Sequence, residues 1–192
     1  MIRLPTSRGM RHAARVLAVL CPALLGTTAC EELGGREVLT PQYSISGTAD
    51  IDRIATYRDG APSLTIAWAM AWIGPQGGSL RILDFEVIVP PDAVSRLTRF
   101  SIRLPVDPGI SSHALAEFGP HNIQFARPVT LRLPYRGTSA EDATSSVLWW
   151  NGATWVRYPT VVLPDGRLET TTLHFSEYGT EEPSRGITPL GG

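Results

Sequence analysis

Residues 118–135 read FGPHNIQFARPVTLRLPY, and the segment VTLRL at 129–133 alternates between apolar and polar side chains. Successive side chains of a β-strand point to opposite faces, so this alternation predicts a strand with its aliphatic side chains in the core and Arg132 outside. The core residues predicted from this stretch are Phe118, Phe125, Val129, Leu131 and Leu133.

The chain after residue 62 contains further short candidate strands. Candidate strands lie at 79–83, 85–89, 99–104, 114–118, 147–150, 155–158 and 168–175, and Gly or Pro residues separate most of them. Proline interrupts a strand because it cannot donate a hydrogen bond to the ladder. Many short strands without an amphipathic helix predict an all-β fold, a single β-sandwich of Ig-like architecture.

An earlier segment, 64–72, has the strongest alternation of apolar residues. Its large side chains occupy every second position and are Leu64, Ile66, Trp68, Met70 and Trp72. Small or polar residues stand between them. The pattern predicts a strand that buries this row of large side chains against the core.

One hairpin can be predicted in register. Asn151-Gly152 suits a two-residue type I′ turn, which pairs Trp150 with Ala153 and Leu148 with Trp155. Leu148, Trp150 and Trp155 then share one face. Large aromatic residues are mostly buried, so we expect these tryptophans in the core. The alternative is that exposed tryptophans stack on sugar rings.

The first thirty residues predict export from the cytoplasm. Residues 1–15 contain four arginines and no acid, and 16–25 (VLAVLCPALL) form a short apolar stretch before small residues and Cys30. This arrangement is typical of a cleaved signal peptide over 1–29. The apolar stretch at 16–25 is too short to span a membrane, which requires about 20 residues. The chain lacks lysine, and after cleavage it would carry 13 arginines against 18 acids, net −5. Such a balance argues against binding to nucleic acid or to anionic lipid surfaces.

Cys30 stands where bacterial lipoproteins carry their acylated cysteine, and its context resembles their lipobox. That resemblance implies a lipid such as palmitate on Cys30 and a location in the cell envelope, anchored to a membrane. Cleavage by ordinary signal peptidase, giving a secreted protein, is the alternative. The expected domains are a lipidated tether at 30–61, partly ordered at most, a sandwich at 62–180 and a disordered tail at 181–192.

Four segments also resemble one protein family. They are IGPQGGSL at 73–80, VIVPPDAV at 87–94, the stretch at 118–135, and HFSEYG at 174–179. Their order and spacing are similar to the ZU-five domain of zonula occludens proteins, Unc-five netrin receptors and ankyrins. Asp92 departs from the glycine usual in the turn of that family. The resemblance implies a β-sandwich that binds or scaffolds proteins, but it does not identify the partner.

Nothing in the sequence predicts an enzyme, a cofactor or a metal site. No histidine has metal-ligand spacing, and no nucleophile elbow or phosphate-binding glycine loop occurs. Some members of the resembled family cleave themselves within an H-F-S sequence, which makes self-cleavage between Phe175 and Ser176 an alternative, with His174 as base. We expect an intact chain, because His174 and Ser176 would project from a regular strand.

The sequence therefore predicts an envelope lipoprotein whose ZU-five-like sandwich binds an unknown protein partner. The membrane is contacted through the N-terminal lipid, and nucleic acid is not expected as a ligand. Carbohydrate binding through exposed tryptophans and self-cleavage at Ser176 are the two alternatives.

Overall fold

The computed structural model describes residues 50–183, which form two antiparallel β-sheets and one short 3-10 helix at Ile51–Arg53. The eleven strands of the described part are β1 Trp68–Ile73, β2 Gly78–Ile82, β3 Phe85–Val89, β4 Thr98–Arg103, β5 Leu115–Gly119, β6 Val129–Pro134, β7 Val147–Trp150, β8 Trp155–Tyr158, β9 Val161–Val162, β10 Arg167–Thr172 and β11 Glu177–Thr180.

The strands form a six-stranded sheet in the order β1-β4-β5-β11-β7-β8 and a five-stranded sheet in the order β2-β3-β6-β10-β9. Within residues 50–183 the sheets are not closed into a barrel, so the predicted single β-sandwich is confirmed. Strands β1 and β2 are consecutive in the chain and are the edge strands of different sheets.

The main core lies between the two sheets. The five residues predicted from 118–135 are all in it, since none of their side chains is more than 2% exposed. Stacked and edge-to-face aromatic rings fill its centre, namely Phe100, Phe118, Phe125, Phe175 and Tyr178. Arg132 projects from the other face of β6, where it contacts Glu86 and Glu169 at 3.1 and 2.8 Å. The alternation of β6 was therefore interpreted correctly.

The prediction for segment 64–72 was wrong about which face is buried. Ile66, Trp68, Met70 and Trp72 are all more than half exposed, while the alternate positions of β1 face the core. Strand β1 is at the edge of its sheet, and its inward residues are Ala69, Ala71 and Ile73. Alternation defines two faces of a strand, but packing between the sheets determines which one is covered.

In the hairpin β7–β8, the side chains lie on the predicted faces, but the two strands pair in a different register. Trp150 pairs with Trp155 and Leu148 with Arg157, so the connection has four residues and not two. The carboxamide oxygen of Asn151 accepts hydrogen bonds from the backbone N–H groups of Ala153 and Thr154, both at 2.9 Å, and this bonding favours the wider loop. A shift of two residues keeps every side chain on its face. Trp150 and Trp155 are buried, as expected.

Both ends of the ordered domain extend beyond 62–180. Residues 54–57 lie against the six-stranded sheet, where the backbone N–H of Ala55 donates to the carbonyl of Thr180 at 2.8 Å. At the other end, Glu181 is buried and forms a β-bridge with Ile54. The segment 50–61, assigned to the tether, thus contributes to the folded domain.

Candidate binding face

The outer face of β1 and β4 carries a row of large exposed side chains. Trp68, Met70 and Trp72 of β1 are 52%, 51% and 62% exposed. Register places Trp68 opposite Arg103, Met70 opposite Ser101, and Trp72 opposite Arg99. Residues directly opposite in an antiparallel pair project to the same side of the sheet. These six residues form the β1–β4 face.

The β1–β4 face includes a groove of about 320 Å³. The residues that line it are Trp68 and Met70 of β1, Arg99, Ser101 and Arg103 of β4, and Ala67, Leu104 and Val106. Further exposed aliphatic side chains occur near the strand ends in the sequence, since Ile66 precedes β1 while Leu97 and Val106 flank β4. The surface is therefore apolar along β1 and cationic along β4.

The arginines of this region have no carboxylate partner among the described residues. The structure describes eleven arginines, and eight of them lie within 4.0 Å of an acidic oxygen, namely Arg53, Arg58, Arg81, Arg127, Arg132, Arg136, Arg157 and Arg167. Within residues 50–183, the guanidinium groups of the other three form neither an ion pair nor a hydrogen bond. Two are Arg99 and Arg103 of the β1–β4 face, and the third, Arg96, is two residues before β4.

The remainder of this outer sheet surface is covered by the chain itself. Ile54 packs on Leu115 and Leu148, and Trp150 and Trp155 extend this small second core. A glycine makes the close approach possible, because a Cβ at Gly179 would lie 2.8 Å from the Ile54 side chain. The covered half of the sheet therefore ends beside β4, and the β1–β4 face stays open to solvent.

The residues considered for self-cleavage lie close in sequence, but the structure does not join them chemically. The hydroxyl of Ser176 donates to the carbonyl of Trp150 at 2.8 Å. The Nδ1 atom of His174 lies 3.2 Å from the Thr172 hydroxyl, and its ring packs on Trp149 at 4.8 Å. Strand β10 ends at Thr172, so the predicted regular strand through Phe175 was wrong, and a bend contains His174. Phe175 is buried in the core.

Other sites suggested by the sequence have ordinary surroundings or lie outside the described part. Cys30, the expected lipid attachment site, is outside residues 50–183. Between residues 50 and 183, no three His, Cys, Asp or Glu side chains are grouped so that they could hold a metal ion. His121 lies 3.2 Å from Glu117, while His113 is near the carbonyl of Ile110. The described helix is not long or apolar enough to span a membrane.

Burial changes the titration of two tyrosines. It raises the pKa of Tyr57 and of Tyr178 well above the usual value for a phenol, since the charged form is disfavoured away from water. The Tyr178 hydroxyl is within 2.9 Å of the Thr172 hydroxyl and donates to the carbonyl of His174 at 3.0 Å. These contacts stabilise the core beside the bend at His174 and involve no residue of the β1–β4 face.

The tryptophans of the β1–β4 face were identified from the sequence as one row and predicted to be buried, whereas they are exposed. Their alternation was visible, whereas the arginines beside them are 27 to 35 residues further along the chain and meet them only through strand pairing.

No protein-family model matches the chain, and no curated protein matches it.

Proposed function

We propose that this chain is an envelope lipoprotein whose ZU-five-like sandwich is a protein-binding module, with the β1–β4 face as its binding surface. The observation that supports this proposal is the exposed row of Trp68, Met70 and Trp72 on an edge strand. Contiguous apolar surface of this kind marks interaction sites in soluble proteins. Attachment through Cys30 would hold the module at a membrane.

The residue types of this face favour a protein ligand. Trp, Met and Arg are enriched in protein interfaces, whereas Lys, Glu and Asp are depleted there, and β1 and β4 contain none of these three. Trp and Arg are also the residues at which truncation to alanine most often weakens binding. Trp68, Trp72 and Arg103 are thus the expected energetic centre of the interface.

Carbohydrate binding is a second candidate, because Trp68 and Trp72 are exposed and could stack on sugar rings. Trp150 and Trp155 of the β7–β8 hairpin do not support this function, since both are buried. Self-cleavage has less support, because the Ser176 hydroxyl donates to a backbone carbonyl and no described contact joins it to His174.

Site-specific photo-crosslinking in the bacterium that makes the protein tests the proposed function. A benzophenone amino acid at Met70 should give one discrete protein adduct, which the double variant Trp68→Ala/Trp72→Ala should lose. The matched control places the same probe at Val161, which is 59% exposed on the other sheet. Absence of an adduct at Met70, or an equal adduct at Val161, would contradict the proposal.

A further inference from the structure

We infer that the partner bound at the β1–β4 face presents an acidic segment whose carboxylates pair with Arg99 and Arg103. This inference rests on the proposed function and adds the chemistry of the ligand. Its basis is that the described arginines without ionic partners are concentrated on and beside one exposed apolar surface, while the domain elsewhere pairs its arginines.

Covering this face with a neutral surface would be unfavourable. Burial of a guanidinium group removes it from water, and the loss is compensated only when an anion and further hydrogen bonds replace the water. Arg103 is already half-buried between Trp68 and Glu117 in the register of the sheet. Glu117 lies within 3.2 Å of His121 and forms no described ion pair with Arg103. A partner that covers the tryptophans therefore needs its own carboxylates.

The face has the same pair of residues at two places. Trp68 is beside Arg103, and Trp72 is beside Arg99. Four residues along a strand span about 13 Å at about 3.3 Å per residue, so the two pairs are separated by that distance. An extended segment that lies along β1 can place an apolar and an acidic side chain at each pair. Arg favours carboxylates particularly, because its planar group can donate two parallel hydrogen bonds to one.

The same charges argue against two other occupants. A second copy related by two-fold symmetry would bring Arg99 and Arg103 close to the same residues of its neighbour, and like charges facing each other oppose association. A bilayer would satisfy the cations, but it is flat, whereas Trp68, Met70 and Val106 surround a recess of about 320 Å³ that suits a protruding side chain.

The experiment continues from the Met70 crosslink on the full-length protein. Mass spectrometry of the adduct identifies the partner segment, and a synthetic peptide of that segment is titrated by fluorescence anisotropy. We expect Asp or Glu within the segment, and we expect Arg99→Gln/Arg103→Gln to raise Kd about 10- to 100-fold, in line with loss of charge-assisted hydrogen bonds. Arg81→Gln is the matched control, since Arg81 is exposed on β2 and paired with Asp84. Replacing the acids of the peptide by amides should weaken binding similarly and lower its salt dependence.

Each other result overturns the inference in a recognisable way. A crosslinked segment without carboxylates, or a Kd that the arginine variants leave unchanged, would refute the acidic partner while the binding function remains. An adduct with a second copy, a lipid or a polysaccharide would refute the acidic partner, because the crosslinked molecule would be of a different class. Failure to crosslink at Met70 would remove the proposed function as well.

Discussion

Leu131 is fully buried at the centre of β6, whereas its neighbour Arg132 lies on the outer face. Leu131→Ala should lower the free energy of unfolding by about 2–5 kcal/mol, through lost burial and the cavity that remains. Arg132→Ala should cost less than about 1 kcal/mol, because its ion pairs with Glu86 and Glu169 are near solvent. Urea denaturation of both variants measures the difference. Equal losses of stability would contradict the assigned faces of β6.

Tyr178 makes the stability of the domain sensitive to alkaline pH. Burial raises its pKa, so above pH about 10 the unfolded chain loses the phenol proton before the folded one does, and the free energy of unfolding falls as pH rises. Tyr178→Phe should be less stable at neutral pH by about 0.5–1.5 kcal/mol, because it loses the bond to the His174 carbonyl. Denaturation at several pH values should show this deficit shrinking above pH about 10. A deficit that stays constant would count against a buried phenol.

At the scale of elements, the segment 54–57 depends on a glycine in β11. A Cβ at Gly179 would lie 2.8 Å from Cδ1 of Ile54 and 3.2 Å from Cβ of Leu115. Gly179→Ala should therefore lower stability by about 1–3 kcal/mol through overpacking. It should also speed trypsin cleavage after Arg53 and Arg58, because the segment packs less firmly. Gly109→Ala is the control, since its nearest neighbour would be at 3.4 Å, and unchanged proteolysis in Gly179→Ala would show that another contact holds the segment.

The elements also show how far local patterns predicted the fold. Period-two alternation found the strand that became β6 and the sides of the β7–β8 hairpin. The hairpin register could not be read from Asn151-Gly152, because the Asn151 side chain bonds two backbone N–H groups across a longer loop. The strand expected to continue through Phe175 instead ends at Thr172, where the chain bends toward β11.

At the scale of the whole molecule, Cys30 would determine where the protein is found. Cys30→Ser should move the processed protein from the membrane fraction to the supernatant, because each buried CH₂ of an acyl chain contributes about 0.8 kcal/mol to membrane affinity. Its thermal unfolding should be unchanged, since the sandwich over residues 50–183 does not include Cys30. Cell fractionation with a mass measurement tests both points. A processed Cys30→Ser protein that stays in the membrane pellet would contradict lipid anchoring.

The sequence by itself determined that this chain forms an all-β domain, that five named residues of 118–135 are buried, and where seven of the eleven described strands lie to within one residue. These properties follow from alternation and from Gly and Pro within a few residues. Only the tertiary structure decided that Trp68, Met70 and Trp72 face solvent, and that Arg99 and Arg103 stand beside them. The physical reason is that burial depends on neighbours from distant parts of the chain. The segment 54–57 covers one half of the outer sheet surface, and no described residue covers the half formed by β1 and β4.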